Sequence, residues 1–392
     1  MFKKSLVAVA VLGAAAFSAQ AADVQLYGLI DYGFNWTNTK TDSLDSDFST
    51  KTTKSDSFAL QSGQNSGSRF GLKGTEDLGN GYKVGFVLEN GFKADDGALE
   101  TGGRLFHREA LLYVQSAWGE LSAGRTGALD AGTGRYNLMG SGATAMGTGW
   151  DQVGVSTVVL MGTNSRMDNT LTYKSPNFAG FTVYAQTSLK TDSADEKYKD
   201  DVEGSSDANR YYGLGVTYNL GALNAGFVAS QTDYKRDTFK GGNAKADDAQ
   251  AYSAFVNYDL GFVKPMFAVQ YWDGGKYTVA NTTAPEYTFA DHVKGANTKG
   301  YGLVVGATAP VFGGTLKATA GWNDYEFNEE LTAGEKATDG NNLMLGVGYE
   351  YPLSKRTFVY TAAGYSEKTV KDDGFKAKEK ITEAMAGLVH KF

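Results

Sequence analysis

Hydrophobic and polar positions alternate with a period of two in segment after segment of this chain. Near the start, Val24, Leu26, Ile30, Tyr32, Phe34 and Trp36 share one face, with Gln25, Asp31 and Asn35 on the other. Tyr82, Val84, Phe86 and Leu88 oppose Lys83, Gly85 and Glu89. Leu343, Leu345, Val347, Tyr349 and Tyr351 oppose Asn342, Gly346, Gly348 and Glu350. A strand with one apolar and one polar face must read this way. Such segments predict an all-β chain of about sixteen antiparallel strands, from one near 24–36 to one near 380–392, an even number. They include a strand over 66–76 and one over 104–116.

A soluble sandwich would alternate too, but three further features favour a barrel that spans a membrane. The connections alternate between tight turns, such as Gly79-Asn80-Gly81 and Ser175-Pro176-Asn177, and long polar stretches at 37–57, 191–207, 235–248, 274–297, 328–341 and 368–379. One end is therefore neat and the other carries long loops. Aromatic residues fall near strand ends (Trp36, Tyr82, Tyr113, Tyr218, Tyr258, Tyr271, Trp322, Tyr351), where girdles at two bilayer interfaces would lie. Finally, an alternating strand runs up to Phe392. In lipid every backbone group needs a partner, so the last strand is expected to pair with the first.

Composition sharpens this reading. The chain has 50 Gly, 23 Tyr and 22 Phe but 5 Pro, and proline is the residue strands exclude. It has no cysteine, so burial or a continuous hydrogen-bond network has to replace disulfides. Lys3 and Lys4, an apolar run from Leu6 to Phe17 and Ala19-Gln20-Ala21 read as a secretory signal over 1–21, leaving a barrel over 22–392. Losing the two lysines takes the formal charge from −7 to about −9, which argues against a nucleic-acid partner.

One long stretch, Gly127 to Ser165, differs from the other loops. It is rich in Gly, Ala, Thr and Met, and its charges are Asp130, Arg135 and Asp151. Such a composition suits a loop folded into the barrel, where it narrows the lumen and turns Asp130 and Asp151 toward cations on the wall. Candidate cations follow from parity. Outward Phe70 and Leu72 put Arg69 and Lys73 in the lumen, and outward Leu105, Leu111 and Tyr113 put Arg104 and Arg108 there. Charge on the lipid face costs about 2–4 kcal/mol for Arg or Lys at mid-bilayer, which favours the inward assignment. The same parity sends His107 and Glu109 outward, to a subunit interface or the bilayer rim. Arg125 falls outside by simple alternation, unless a bulge turns it in.

The motifs Val24-Gln25-Leu26-Tyr27-Gly28 with Asp31, Ser68-Arg69-Phe70-Gly71-Leu72-Lys73-Gly74-Thr75-Glu76-Asp77-Leu78-Gly79, Gly124-Arg125, Tyr173-Lys174-Ser175-Pro176 and Gly387-Leu388-Val389-His390-Lys391-Phe392 give the chain a family likeness. It resembles the general bacterial porins of Gram-negative outer membranes, the neisserial and betaproteobacterial branch in particular. The resemblance implies a sixteen-stranded barrel, a homotrimer, and a constriction between an inward third loop and a basic wall made of Arg69, Arg125 and either Arg166 or Lys174. It also implies a setting of membrane lipid and lipopolysaccharide, and Phe392 as a C-terminal signal for the outer-membrane assembly machinery. The Pro-Glu-Phe-Gly-Gly stretch frequent in family loops is missing.

The expected function is passive, cofactor-free transport of small hydrophilic solutes and ions, with a weak anion preference. The alternative is a substrate-specific sugar or organic-acid channel, for which Tyr27, Tyr184 and Trp272 would supply lumenal aromatics. An enzyme reading finds no support, because His107, His292 and His390 have no Ser or Asp partner at a useful spacing. The acidic clusters Asp42–Asp47 and Asp192–Asp201 lack the spacing of a calcium loop.

Overall fold

The computed structural model describes residues 23–44, 50–147, 149–154, 156–160, 165–193, 202–235, 248–276, 297–327, 337–372 and 375–392. They form a single closed antiparallel sheet of seventeen strand segments. The first segments are β1 (Gln25–Leu44), β2 (Thr50–Ser62), β3 (Arg69–Gly79), β4 (Tyr82–Gly91), β5 (Glu109–Ser116) and β6 (Gly119–Gly127). Then come β7 (Arg166–Lys174), β8 (Phe181–Ser188), β9 (Arg210–Leu220), β10 (Leu223–Asp233), β11 (Ala249–Tyr258) and β12 (Lys264–Lys276). The circuit ends with β13 (Asn297–Val311), β14 (Gly314–Phe327), β15 (Ala337–Pro352), β16 (Thr357–Asp372) and β17 (Phe375–Lys391).

Segments β2 and β3 occupy one lane. The upper part of β1 pairs with β2 (Tyr32↔Ser62 to Leu44↔Thr50), while its lower part pairs with β3 (Gln25↔Lys73 to Leu29↔Arg69). Residues 63–68 leave the lane between them, so the barrel has sixteen strands. It closes where β1 meets β17, from Leu29↔Lys391 to Asp42↔Lys378. Gly28 N–H and the Phe392 carbonyl continue this ladder at 3.2 Å, and Phe392 N–H returns to Gly28 at 3.1 Å. The Phe392 ring lies over Gly28, where an added Cβ would meet it at 2.4 Å.

Alternation sorts the side chains between lipid and lumen. On β15, Leu343, Leu345 and Val347 are exposed outward, whereas Met344 is buried inward. Tyr252, Tyr271 and Tyr301 fall in one cross-strand row toward the long-loop end. Trp118 stacks with Tyr173 at 6.4 Å near the short turns. These are the two interfacial girdles, on either side of an apolar band about 25 Å tall in such barrels. No helix among the described residues is long and apolar enough to cross a membrane, and the crossing is made by strands.

The structure departs from the sequence reading in two ways. Much of the predicted loops 37–57 and 368–379 is ladder, with Thr37↔Ser57 and Lys368↔Glu379 paired. These extensions have polar residues on both faces, so no apolar period marks them. The predicted strand over 104–116 begins only at Glu109, with the opposite parity: Glu109, Leu111 and Tyr113 are buried inward and Leu112 is exposed outward. His107 is also buried, so neither it nor Glu109 is an outward interface residue. Consecutive apolar residues (Leu111-Leu112-Tyr113-Val114) leave both parities open in the sequence.

Leu345 stands near the middle of β15 on the lipid face. Leu345→Arg is expected to lower the unfolding free energy by about 2–4 kcal/mol, measured by denaturant titration in lipid vesicles. An exposed charge at the strand's loop end would cost far less.

Candidate functional site

The long segment after β6 turns into the barrel. Gln186 of β8 holds its root, accepting from Leu129 N–H at 3.1 Å and donating to the Gly127 carbonyl at 3.1 Å. Next, a one-turn helix, α1 (Met139–Gly142), packs on β10 and β11. Asn257 donates to the Gly142 carbonyl at 3.2 Å. The loop then crosses to the far wall, where 3-10 turns over Asp151–Gly154 and Ser156–Val159 press on β12 to β17.

Inward glycines make this seat possible. A Cβ on Gly302 would lie 1.8 Å from the Val158 carbonyl oxygen, and one on Gly346 2.2 Å from that of Val153. Leu129, Met139, Trp150, Val153 and Val158 are almost wholly buried on the wall. The small-residue composition of 127–165 is thus a packing requirement: backbone lies on backbone.

Between loop and opposite wall remains a cavity of about 950 Å3. Its charged lining centres on Glu89, which accepts Arg108 Nε at 2.7 Å, Tyr27 hydroxyl at 3.0 Å and faces an Arg69 nitrogen at 3.9 Å. Arg108 also reaches Glu100 at 3.3 Å, and His107 Nε2 meets Glu100 at 3.1 Å. Lys73 sits over the Tyr27 ring at 5.1 Å, and Arg166 joins the same lining. Across the lumen, Lys317 pairs with Glu350 at 2.7 Å.

Of the residues singled out in the sequence, Arg69, Lys73, Arg108 and Arg166 therefore come together. Arg104 and Arg125 do not line the cavity. Arg104 grips Asp168 through two nitrogens at 2.8 and 2.9 Å and reaches Asp192 at 2.6 Å. Arg125, beside a register shift between Gly124 and Thr126, meets the same Asp168 at 2.6 Å. The extra residue of that shift lies on β7, at Asp168–Asn169, so no bulge turns Arg125 inward: it stays paired with Ala110, on the face of Leu112 and Ala123, and Asp168 neutralises its cation. Lys174 lies apart, near the short turns and over the Tyr184 ring at 6.0 Å.

The loop acids do not oppose the arginines as expected. Asp130 is fully buried against the wall, accepting from Ser230 at 2.5 Å and Tyr211 at 3.3 Å. It fastens the loop root instead. The side chain of Asp151 lies outside the described residues. The loop presents a cation instead: Arg135 donates to Glu120 at 3.1 and 2.8 Å, and its backbone N–H reaches Glu109. Sequence parity marks Glu89 and Glu350 as inward, but Glu100, Arg135 and Lys317 carry no signal apart from their charge. Of the three candidate lumenal aromatics, Tyr27 lines the cavity, while Trp272 is fully buried and bonded to Thr298 at 3.0 Å. They form no continuous row.

A family model described as Gram-negative porin matches residues 8–371. The chain belongs to the Gram-negative porin family. This porin is 32% identical over its full length to an outer membrane porin protein of Bordetella pertussis, and 29% to outer membrane porin protein 32 of Delftia acidovorans, each covered completely. Among solved structures, it is similar to the anion-selective porin from Comamonas acidovorans, with a TM-score of 0.63 and 25% identity over 95% of this chain and 100% of that one. The closed barrel and these relatives place it in the outer membrane of a Gram-negative bacterium as a passive channel, not an enzyme.

His107 and Arg108 hold the Glu100 carboxyl at about 2, against an ordinary 4.5. A depressed carboxylate keeps its paired state above its ordinary value and loses it as pH falls toward the folded one. Glu100→Gln is therefore expected to raise the anion-to-cation permeability ratio at neutral pH, measured by reversal potentials in a salt gradient. The difference between parent and variant isolates Glu100, and should persist through pH 4.5 and close only near about 2.

Proposed function

We propose that this porin is a general diffusion channel with a weak anion preference, whose constriction lies between the inward loop and the wall that carries Arg69, Arg108 and Arg166. The carrying observation is the balance of charge on the cavity lining. Arg69, Lys73, Arg108, Arg135, Arg166, Lys317 and Lys391 face Glu89, Glu100, Glu109 and Glu350, although the whole chain is acidic. Acidic groups at the mouth are screened within about 8–10 Å, so the narrow zone dominates selectivity. The likeness to an anion-selective porin supports this sign. The broken set of lumenal aromatics gives a sugar no continuous path, which favours general diffusion over the substrate-specific alternative.

Arg69→Glu reverses charge where low-dielectric walls focus the field. Anion permeability relative to cation should fall clearly in reversal-potential measurements, and an unchanged ratio would remove Arg69 from the pore.

We also propose a homotrimer. Midway along the outer face of β16 and β17, Thr361, Ala363, Thr382, Ala384 and Ala386 carry low side chains between Leu388 at one end and Tyr365 at the other, near the Phe34–Phe58 stack on β1 and β2 at 5.6 Å. This relief suits a copy of the same barrel better than mobile lipid chains. A trimer form is described for one structural neighbour, OmpT of Vibrio cholerae. Native mass spectrometry in mild detergent should find three copies, and monomers alone would rule this out.

A further inference from the structure

The break between β2 and β3 is more than an irregular lane. Residues 63–68 fold inward, and Asn65, Ser66 and Gly67 line the cavity beside Arg69. Their shape is imposed from below by one side chain. Asp31 on β1 is fully buried, and its Oδ2 accepts the backbone N–H groups of Asn65 and Ser66, both at 2.7 Å. Its backbone joins in: the Asp31 carbonyl accepts Gly63 N–H at 2.9 Å, and Asp31 N–H donates to Ser68 Oγ at 3.1 Å. The remaining oxygen, Oδ1, accepts the Tyr360 hydroxyl from β16 at 2.7 Å.

The same six residues also hold the tip of the inward loop. Trp150 N–H donates to the Gln64 carbonyl, and a Cβ on Gly149 would collide with the Asn65 carbonyl. Asn65 Nδ2 donates to Glu350 at 3.0 Å, the partner of Lys317. Trp150 packs edge-on against Tyr360 at 5.4 Å. Its φ is +76°, a left-handed conformation that a bulky residue keeps only where its surroundings impose it.

We propose that Asp31 is a positioning residue for permeation: by seating segment 63–68 it fixes the distance between the loop tip at Trp150 and the basic wall that begins at Arg69. The inference rests on the constriction proposed above. The loop tip meets the basic wall through a segment whose bend is held by one buried carboxylate. A solute therefore meets an aperture whose width is set from β1, a strand that contributes little of the charge around it. The local geometry explains the choice of residue. Two converging backbone N–H groups and a hydroxyl need an acceptor with two oxygens and a short stem, and buried donors left unmet are costly.

The test compares Asp31→Ala, Asp31→Asn, Tyr360→Phe and a deletion of residues 140–150 in planar bilayers and in liposome swelling with sugars of graded size. Asp31→Ala should change mean single-channel conductance by about 1.5-fold or more and raise the size cutoff. Its β-sheet circular dichroism and resistance to detergent unfolding should stay near the parent's. Asp31→Asn retains an oxygen for both N–H groups and should remain close to the parent. Tyr360→Phe removes one hydroxyl and should shift conductance in the same direction by less. A folded Asp31→Ala with the parent's conductance and cutoff overturns the proposal if the deletion still widens the pore. If neither changes the channel, the constriction reading fails with it. Should Asp31→Ala not insert, Tyr360→Phe decides, and an unchanged conductance in that variant overturns the role of Asp31.

Discussion

Everything in this molecule depends on the ladder between β1 and β17. A backbone in hydrocarbon has no water to satisfy its N–H and C=O groups, so a sheet in a membrane has to close on itself. The hydrogen bonds of Gly28 with Phe392, and the register that follows them up to Asp42, make that closure. Once the wall is closed, side chains have only two environments, and a single parity choice sends each strand's polar set into water and its apolar set into lipid. The width of a sixteen-stranded ring then leaves a lumen too wide for side chains to fill. That surplus space gives the inward loop its role.

The loop is a second core, built inside a barrel that has none of its own. Leu129, Met139, Trp150, Val153 and Val158 bury themselves on the inner wall, where Gly215, Gly302 and Gly346 offer a surface without side chains. Close packing of this kind is intolerant of added volume. The glycines on the polar faces of β9, β13 and β15 are thus the counterpart of the small residues in the loop. Each set of glycines has meaning only beside the other, which is why the open lumen and its constriction come from one packing solution.

How much of this is legible follows from which physical signal each part leaves in the chain. The strands leave a period of two wherever one face meets lipid, so β1, β4, β10 and β15 are readable from Trp36, Phe86, Phe227 and Leu345. Where both faces meet water, as at Thr50–Ser57 of β2, the period vanishes and ladder reads as loop. Where apolar residues are consecutive, as at Leu111-Leu112-Tyr113, parity is ambiguous, and alternation alone turns β5 inside out. Arg69 and Lys73 fall correctly in the lumen because Phe70 and Leu72 flank them. Asp130 escapes a sequence reading because a burial site for a carboxylate, made here by Ser230 and Tyr211 from two other strands, has no local signature.

The burial of Asp130 bears on how the pore discriminates. An acidic loop facing a basic wall would neutralise the wall across the gap and leave a transverse dipole. Here the loop tip offers Trp150, Met146 and backbone, and the acids stand on the wall beside the cations. Glu89 is shared by Arg108, Arg69 and the Tyr27 hydroxyl, and Glu100 takes the other side of Arg108, so with Arg166 in the same lining two carboxylates answer three guanidiniums. Such sharing leaves net positive charge against a surface of low polarity, where attraction between unlike charges is several-fold stronger than in bulk water. The missing counter-charge has to be mobile. On the reading proposed above, an anion entering from solution would supply it and leave as the next one arrives, whereas a cation would meet the unshared positive charge first. A wall incompletely neutralised by its own residues would then favour anions without binding any of them tightly, the condition for a channel that conducts.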